Sequence, residues 1–147
     1  MKRFLAHVMP AVGLARLAYW FLVRPRTRGA KVVLLSNGEV LLVRHTYERG
    51  IYGLPGGGLR SGEDPEAGLR REVREELGIE LPALRFLGTV ESEADYARNT
   101  VHVFSAELAS RAGLVPDPIE IAELRWAPLG ELPPVGAATA KILALAA

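Results

Sequence analysis

The stretch Gly57–Ile79, GGLRSGEDPEAGLRREVREELGI, constrains this chain more than any other. Ser61, Asp64 and Pro65 mark a helix start, because short polar side chains cap the first free N–H groups and proline suits the first turn. Leu69, Val73 and Leu77 recur every four residues and form one apolar stripe. Gly78 ends the helix, since glycine adopts the left-handed cap without penalty. Glu72, Glu75 and Glu76 stand at i, i+3 and i+4 and therefore share a face. Three carboxylates on one face repel one another, and something has to offset that repulsion. Arg71, four residues before Glu75, supplies part of it. Two readings account for the rest: a solvated helix laced with Arg–Glu pairs, or a site for a hard divalent cation held by carboxylates, water and substrate phosphate.

The glycine run Leu54-Pro55-Gly56-Gly57-Gly58 leads into this helix and allows a ligand to approach the backbone closely. Upstream, Ala30–Ser36 and Glu39–Arg44 are apolar runs that read as strands buried on both faces, joined at the hairpin signal Asn37-Gly38. The polar and aromatic loop 45–53 opens toward the glycine run. Its His45, together with Arg44 and Arg49, offers contacts to a phosphate or ribose. Downstream, Leu84–Glu91 and Thr100–Leu108 read as strands. In the second, Val101, Val103 and Ser105 lie on one face, with His102, Phe104 and Ala106 on the other. A Pro- and Gly-containing loop over 111–120, a short strand Glu123–Ala127 and an alanine-rich closing helix over 134–147 complete the chain. Strands and helices thus alternate irregularly, which predicts an α/β domain with a mixed sheet between helices.

The chain has 147 residues, enough for one domain with a single core, and no cysteine, which excludes disulfides and thiol chemistry. A net charge of +1 conceals an asymmetry: residues 1–31 carry seven Lys and Arg and no acid, against 11 basic and 17 acidic residues in the remainder. Phe4–Val23 is almost wholly apolar, but His7, Pro10 and Arg16 argue against a membrane span. Residues 1–28 therefore read as a basic, apolar helical arm ahead of a domain over 29–147. The arm suits a peripheral membrane contact or packing on its own domain or on a second copy, as in a homodimer. The chain is expected in the cytoplasm, with membrane association through the arm.

Gly57, Glu63, Arg71-Glu72, Val73, Glu75-Glu76, Gly78 and Ile79 stand at every fixed position of the signature of the Nudix hydrolase family. The chain resembles that family over residues 29–147. The resemblance implies an αβα sandwich. It also implies Mg²⁺-dependent hydrolysis, with Mn²⁺ as a substitute, of a diphosphate bond in a nucleoside diphosphate linked to another moiety, such as a nucleoside triphosphate, dinucleoside polyphosphate or nucleotide sugar. Glu72, Glu75 and Glu76 are the implied metal ligands, with a backbone ligand at Gly57. Glu72 is alternatively the general base. Arg71 orients a glutamate and Glu63 is structural. The family's additional late acid falls on Glu120, with Glu93 and Glu123 as rivals. Tyr96, 17 residues after Ile79, is spaced as in diadenosine polyphosphate hydrolases and is a substrate-binding candidate. Ala94 occupies the place where the ADP-ribose subgroup carries proline, and no coenzyme A or NADH signature is evident. The expected partner is a small nucleotide, with no nucleic acid. The alternatives are a catalytically silent nucleotide-binding module of the same shape and a membrane-recruited interaction protein.

Overall fold

The computed structural model describes residues 26–48, 50–94 and 97–147. Most of the arm (residues 1–25) and the candidates Arg49 and Tyr96 lie outside the described residues. Within them, strand β1 (Arg26–Ser36) is followed by β2 (Glu39–His45), β3 (Gly56–Gly58), helix α1 (Pro65–Leu77), β4 (Arg85–Ala94), β5 (Ala97–Glu107), β6 (Ile121–Pro128) and helix α2 (Ala137–Ala146). The sheet order is β4-β5-β1-β2-β6, and β3 adds to β1. β1 and β5 are parallel, while the other pairs are antiparallel. The sheet is therefore mixed, as expected. β1 starts at Arg26, inside the segment read as the end of the arm. Among the described residues no helix is long and apolar enough to cross a membrane.

β1 and β2 turn tightly because Asn37 and Gly38 both adopt the left-handed region, with φ of 51° and 77°. That pair of angles suits a two-residue hairpin loop. Alternation along the central strands then builds two cores. Ala30, Val32, Leu34, Leu41, Val43, Phe104 and Ala106 face α1 and meet Leu69, Val73 and Leu77. Val33, Val40, Leu42 and Val103 face the other way and meet Ile142 and Leu143 of α2. This is the αβα sandwich the resemblance implied. Each large side chain fully buried in it contributes about 1.5–3 kcal/mol.

The glycine run forms a strand, where the sequence reading expected an open approach to the helix. Gly56, Gly57 and Gly58 pair with Lys31, Ala30 and Gly29. The pairing requires glycine: Gly56 has φ 126°, and a Cβ there would sit 2.1 Å from the Ala30 carbonyl oxygen. Helix α1 then begins and ends as its sequence dictates. Asp64 accepts a hydrogen bond from the Ala67 N–H at 3.0 Å, and Gly78 closes the helix at φ 68°.

Candidate active site

Three elements converge where α1 crosses the end of β2 and the glycine strand. The graded burial of the helix carboxylates follows from this packing. Glu76 is 2% exposed, Glu72 is partly covered, and Glu75 points outward at 55% exposure. A buried carboxylate needs partners. Glu76 Oε1 accepts the Gly56 N–H at 2.8 Å, and its Oε2 lies 3.2 Å from His45 Nε2. The strand bulge between Arg44 and His45, which gives β6 an extra residue at Ala122, re-aims His45 toward the helix.

Arg71 organises the outer half of the site. Its Nε and Nη2 donate to the two oxygens of Glu63 at 3.0 and 2.9 Å, and its Nη1 donates to Glu72 at 2.9 Å. The same Nη1 is 3.7 Å from Glu75. The hydrogen bonds from Arg71 and from the Arg60 N–H pull the Glu63 pKa down to about 2. Gly57 lies directly against Glu72, since a Cβ at Gly57 would meet Glu72 Oε2 at 2.6 Å. A side chain at Gly57 would have to displace the Glu72 carboxylate.

The late loop brings in a third acid. Glu120 sits close enough to Glu76, Asp117 and Glu72 to feel their charge. Its pKa is raised first by burial and then by those carboxylates. Glu72 is raised likewise, first by burial, with Arg71 opposing and Glu75 and Glu76 adding to the rise. Burial draws the His45 imidazole downward, but hydrogen bonds to Glu48 and Glu76 outweigh it and leave its pKa raised.

The available donors are carboxylate oxygens beside a glycine backbone, a set of hard ligands that suits a divalent cation such as Mg²⁺. Their mutual repulsion is of the sign a cation relieves. Among the described residues no three Asp, Glu or His side chains already stand around one point as ligands do.

The remaining candidates are placed elsewhere. Arg44 is 3.3 Å from Glu123 in an ion pair across the β2–β6 strands. The Glu123 carboxylate is also held by Tyr52, whose hydrogen bond leads the lowering of its pKa. The rival Glu123 is thus committed to a surface network. Trp126 packs against the α1-side core, with the Arg111 guanidinium 4.1 Å over its ring. Two participants escaped the sequence reading as site residues. Lys31 donates from Nζ to the Leu54 and Gly56 carbonyls at 3.1 and 3.2 Å, bracing the strand that holds Glu76. The signal for it was a lone cation inside a buried apolar strand, which must find acceptors. Thr46 ties the late loop to β2 through Ile119 and Glu120.

The NUDIX domain family matches residues 25–146. Over 115 residues the chain is 35% identical to the "NAD-capped RNA hydrolase NudC" of Pseudomonas aeruginosa PAO1; the match takes in 77% of this chain and 40% of that protein. The chain therefore spans about 40% of the length of the curated relatives it matches. The fold is similar to that of a MutT NUDIX hydrolase from Burkholderia pseudomallei, with a TM-score of 0.74, 30% identity and coverage of 84% of this chain and 98% of that one. A MutT protein from Methanosarcina mazei Go1 shares the fold at a TM-score of 0.71 and 23% identity, over 83% of this chain and 93% of that one.

Proposed function

The chain belongs to the Nudix family of pyrophosphohydrolases, and from that premise we propose that it hydrolyses a diphosphate bond in a nucleoside diphosphate joined to a second group. Mg²⁺ is the proposed cofactor, with Mn²⁺ able to replace it. The observation that carries this reading is the carboxylate face of α1, with Glu76 held against the glycine strand by the Gly56 N–H at 2.8 Å, Glu72 beside it, and Glu120 near enough to feel the charge of both. A folded protein has little reason to hold such a cluster unless a cation and an anionic substrate use it.

Glu76 and Glu120 would hold the metal in this reading, with Glu75 and the Gly57 carbonyl as further ligands. When bound, the ion neutralises diphosphate oxygens and lowers the pKa of attacking water. Glu72 is the side chain best suited to take the proton from that water. It is half-buried, its pKa is raised, and Arg71 fixes one of its oxygens while leaving the other toward Gly57. Arg71 is a positioning residue, since Glu63 locks its guanidinium in a two-point contact. Water's oxygen bonds to phosphorus, the bridging oxygen leaves with the second group, and the proton passes to the carboxylate. His45 faces Glu76, which favours a supporting role for it over a direct phosphate contact.

The test is hydrolysis of a nucleotide panel with Mg²⁺ and identification of both products. The panel holds nucleoside triphosphates, dinucleoside polyphosphates and nucleotide sugars. The name of the relatives adds NAD-capped RNA. Cleavage of at least one diphosphate linkage, abolished by excess chelator and restored by Mg²⁺, is the expected result. Full turnover in chelator refutes the metal site, and no cleavage of any diphosphate refutes the enzyme.

A further inference from the structure

We propose that Thr46 is a positioning residue that sets Glu120 against the helix carboxylates. The inference rests on the reading of Glu120 as a member of the acidic site. Thr46 directly follows β2. Its hydroxyl donates to the Ile119 carbonyl at 2.7 Å, and its backbone N–H donates to the Glu120 carbonyl at 3.0 Å. One residue therefore grips two consecutive carbonyls of the late loop.

The other side of that loop is fastened to α1. The Val115 N–H donates to the Leu77 carbonyl and the Asp117 N–H to the Glu76 carbonyl, each at 2.8 Å. Asp117 closes the turn between these attachments. Its side chain accepts from the Ile119 N–H at 2.9 Å and its carbonyl from the Ile121 N–H at 2.8 Å. Residues 117–120 are thus strapped between the helix that carries Glu72 and Glu76 and the strand that carries His45.

The strap matters because the Glu120 side chain has only the attraction of His45 to set against its acidic neighbours. Among the described residues its carboxylate takes no hydrogen bond, and its neighbours there include the repelling Glu76, Asp117 and Glu72. Repulsion pushes the loop outward, and Thr46 holds it in. Small displacements of a ligand are costly for a cation that demands near-ideal geometry, and partners that orient ligands commonly matter tenfold or more.

The variants are Thr46→Val and Thr46→Ala, which delete the hydroxyl and keep the backbone N–H, and Thr46→Ser, which keeps both. Each is measured alone and combined with Glu120→Gln. The readouts are kcat and KM on the best panel substrate, Mn²⁺ affinity by electron paramagnetic resonance, and the melting curve. Val and Ala are expected to weaken Mn²⁺ binding and lower kcat by roughly tenfold with KM little changed, while Ser stays within about twofold of wild type. In the Glu120→Gln background the Val change is expected to add almost nothing, because the group it positions has lost its charge. An inert Thr46→Val beside a damaging Glu120→Gln overturns the proposal, as does a Thr46 loss that adds in full to that of Glu120→Gln. A harmless Glu120→Gln instead removes the acid from the site, and the underlying reading fails with it. Should Val and Ala both melt far below wild type, the failure of Ser to restore kcat would equally end the idea.

Discussion

The two faces of the sheet are covered by helices of opposite character. Helix α1 carries a side-chain cap at Asp64, an αL glycine at its end, a web of Arg–Glu pairs and a buried glutamate. Helix α2 starts at Gly136 without a side-chain cap, has no acid in its first turn or base in its last, and buries only Ile142 and Leu143. Both close a core of similar aliphatic make-up. A helix that only covers a sheet needs little beyond two well-placed apolar residues. A helix that gathers like charges needs caps, ion pairs and backbone donors to stay folded while doing so. The face with the richer local stabilisation is the one with the greater internal conflict.

That division can be broken from either side. Glu76→Gln and Glu72→Gln keep shape and remove charge on the α1 face, so the fold survives. Turnover is expected to fall about 10²-fold or more for each. Circular dichroism and steady-state kinetics check the two halves of that statement. On the α2 face, Leu143→Ala is expected to cost about 2–5 kcal/mol of stability through the cavity it leaves, with kcat per folded molecule unchanged. If Leu143→Ala cut kcat while Glu76→Gln left it alone, chemistry would belong to the wrong face.

Local features of this contrast were legible in the sequence, and long-range ones were not. Asp64 and Gly78 announce the ends of α1 because capping is a property of adjacent residues. Asn37-Gly38 announces the hairpin for the same reason. The strand at Gly56–Gly58 was not legible, since three glycines carry no side-chain pattern and their partner lies in β1. The resemblance pointed to the acids and to Arg71, but not to the His45, Gly56 and Thr46 contacts around them. His45 reads as a loop histidine open to a phosphate or ribose until a bulge at Ala122, far downstream, re-aims it. Arg111 reads as a loop cation, yet it donates to Glu39 at 2.6 Å and to the Ser36 carbonyl at 2.7 Å, tying the loop before β6 to the first hairpin. In each case the partner is chosen by the three-dimensional sheet order.

Capping sharpens the comparison at smaller scale. Removing the cap with Asp64→Ala is expected to lower stability by about 1 kcal/mol. Supplying one to the other helix with Gly136→Ser should raise it by only a few tenths, because glycine is already a tolerable cap. Urea midpoints with a common slope measure both. Equal and opposite effects would mean that α1 depends on its cap no more than α2 would, and the contrast in local stabilisation would lapse.

The smallest effect lies in acid. Glu63 is held to a pKa of about 2 by the hydrogen bonds from Arg71 and the Arg60 N–H, against roughly 4.3 for a free glutamate. A carboxyl whose folded pKa is depressed binds fewer protons when folded. Its contribution to stability is therefore full above the unfolded value and is lost as pH falls from about 4.5 toward 2. Glu63→Gln has no such group to titrate. The stability difference between wild type and this variant should thus shrink across that window and stay flat above pH 6. The other carboxylates titrate in both proteins and cancel in the subtraction. The loss is modest because Arg71 keeps Glu72 at 2.9 Å and the Gly58 carbonyl at 3.2 Å when Glu63 is neutralised. Denaturant midpoints from pH 7 to 2.5 decide the matter. A difference that does not narrow in acid would show that Arg71 draws its orientation from Glu72 and the glycine strand, with Glu63 a bystander at the rim.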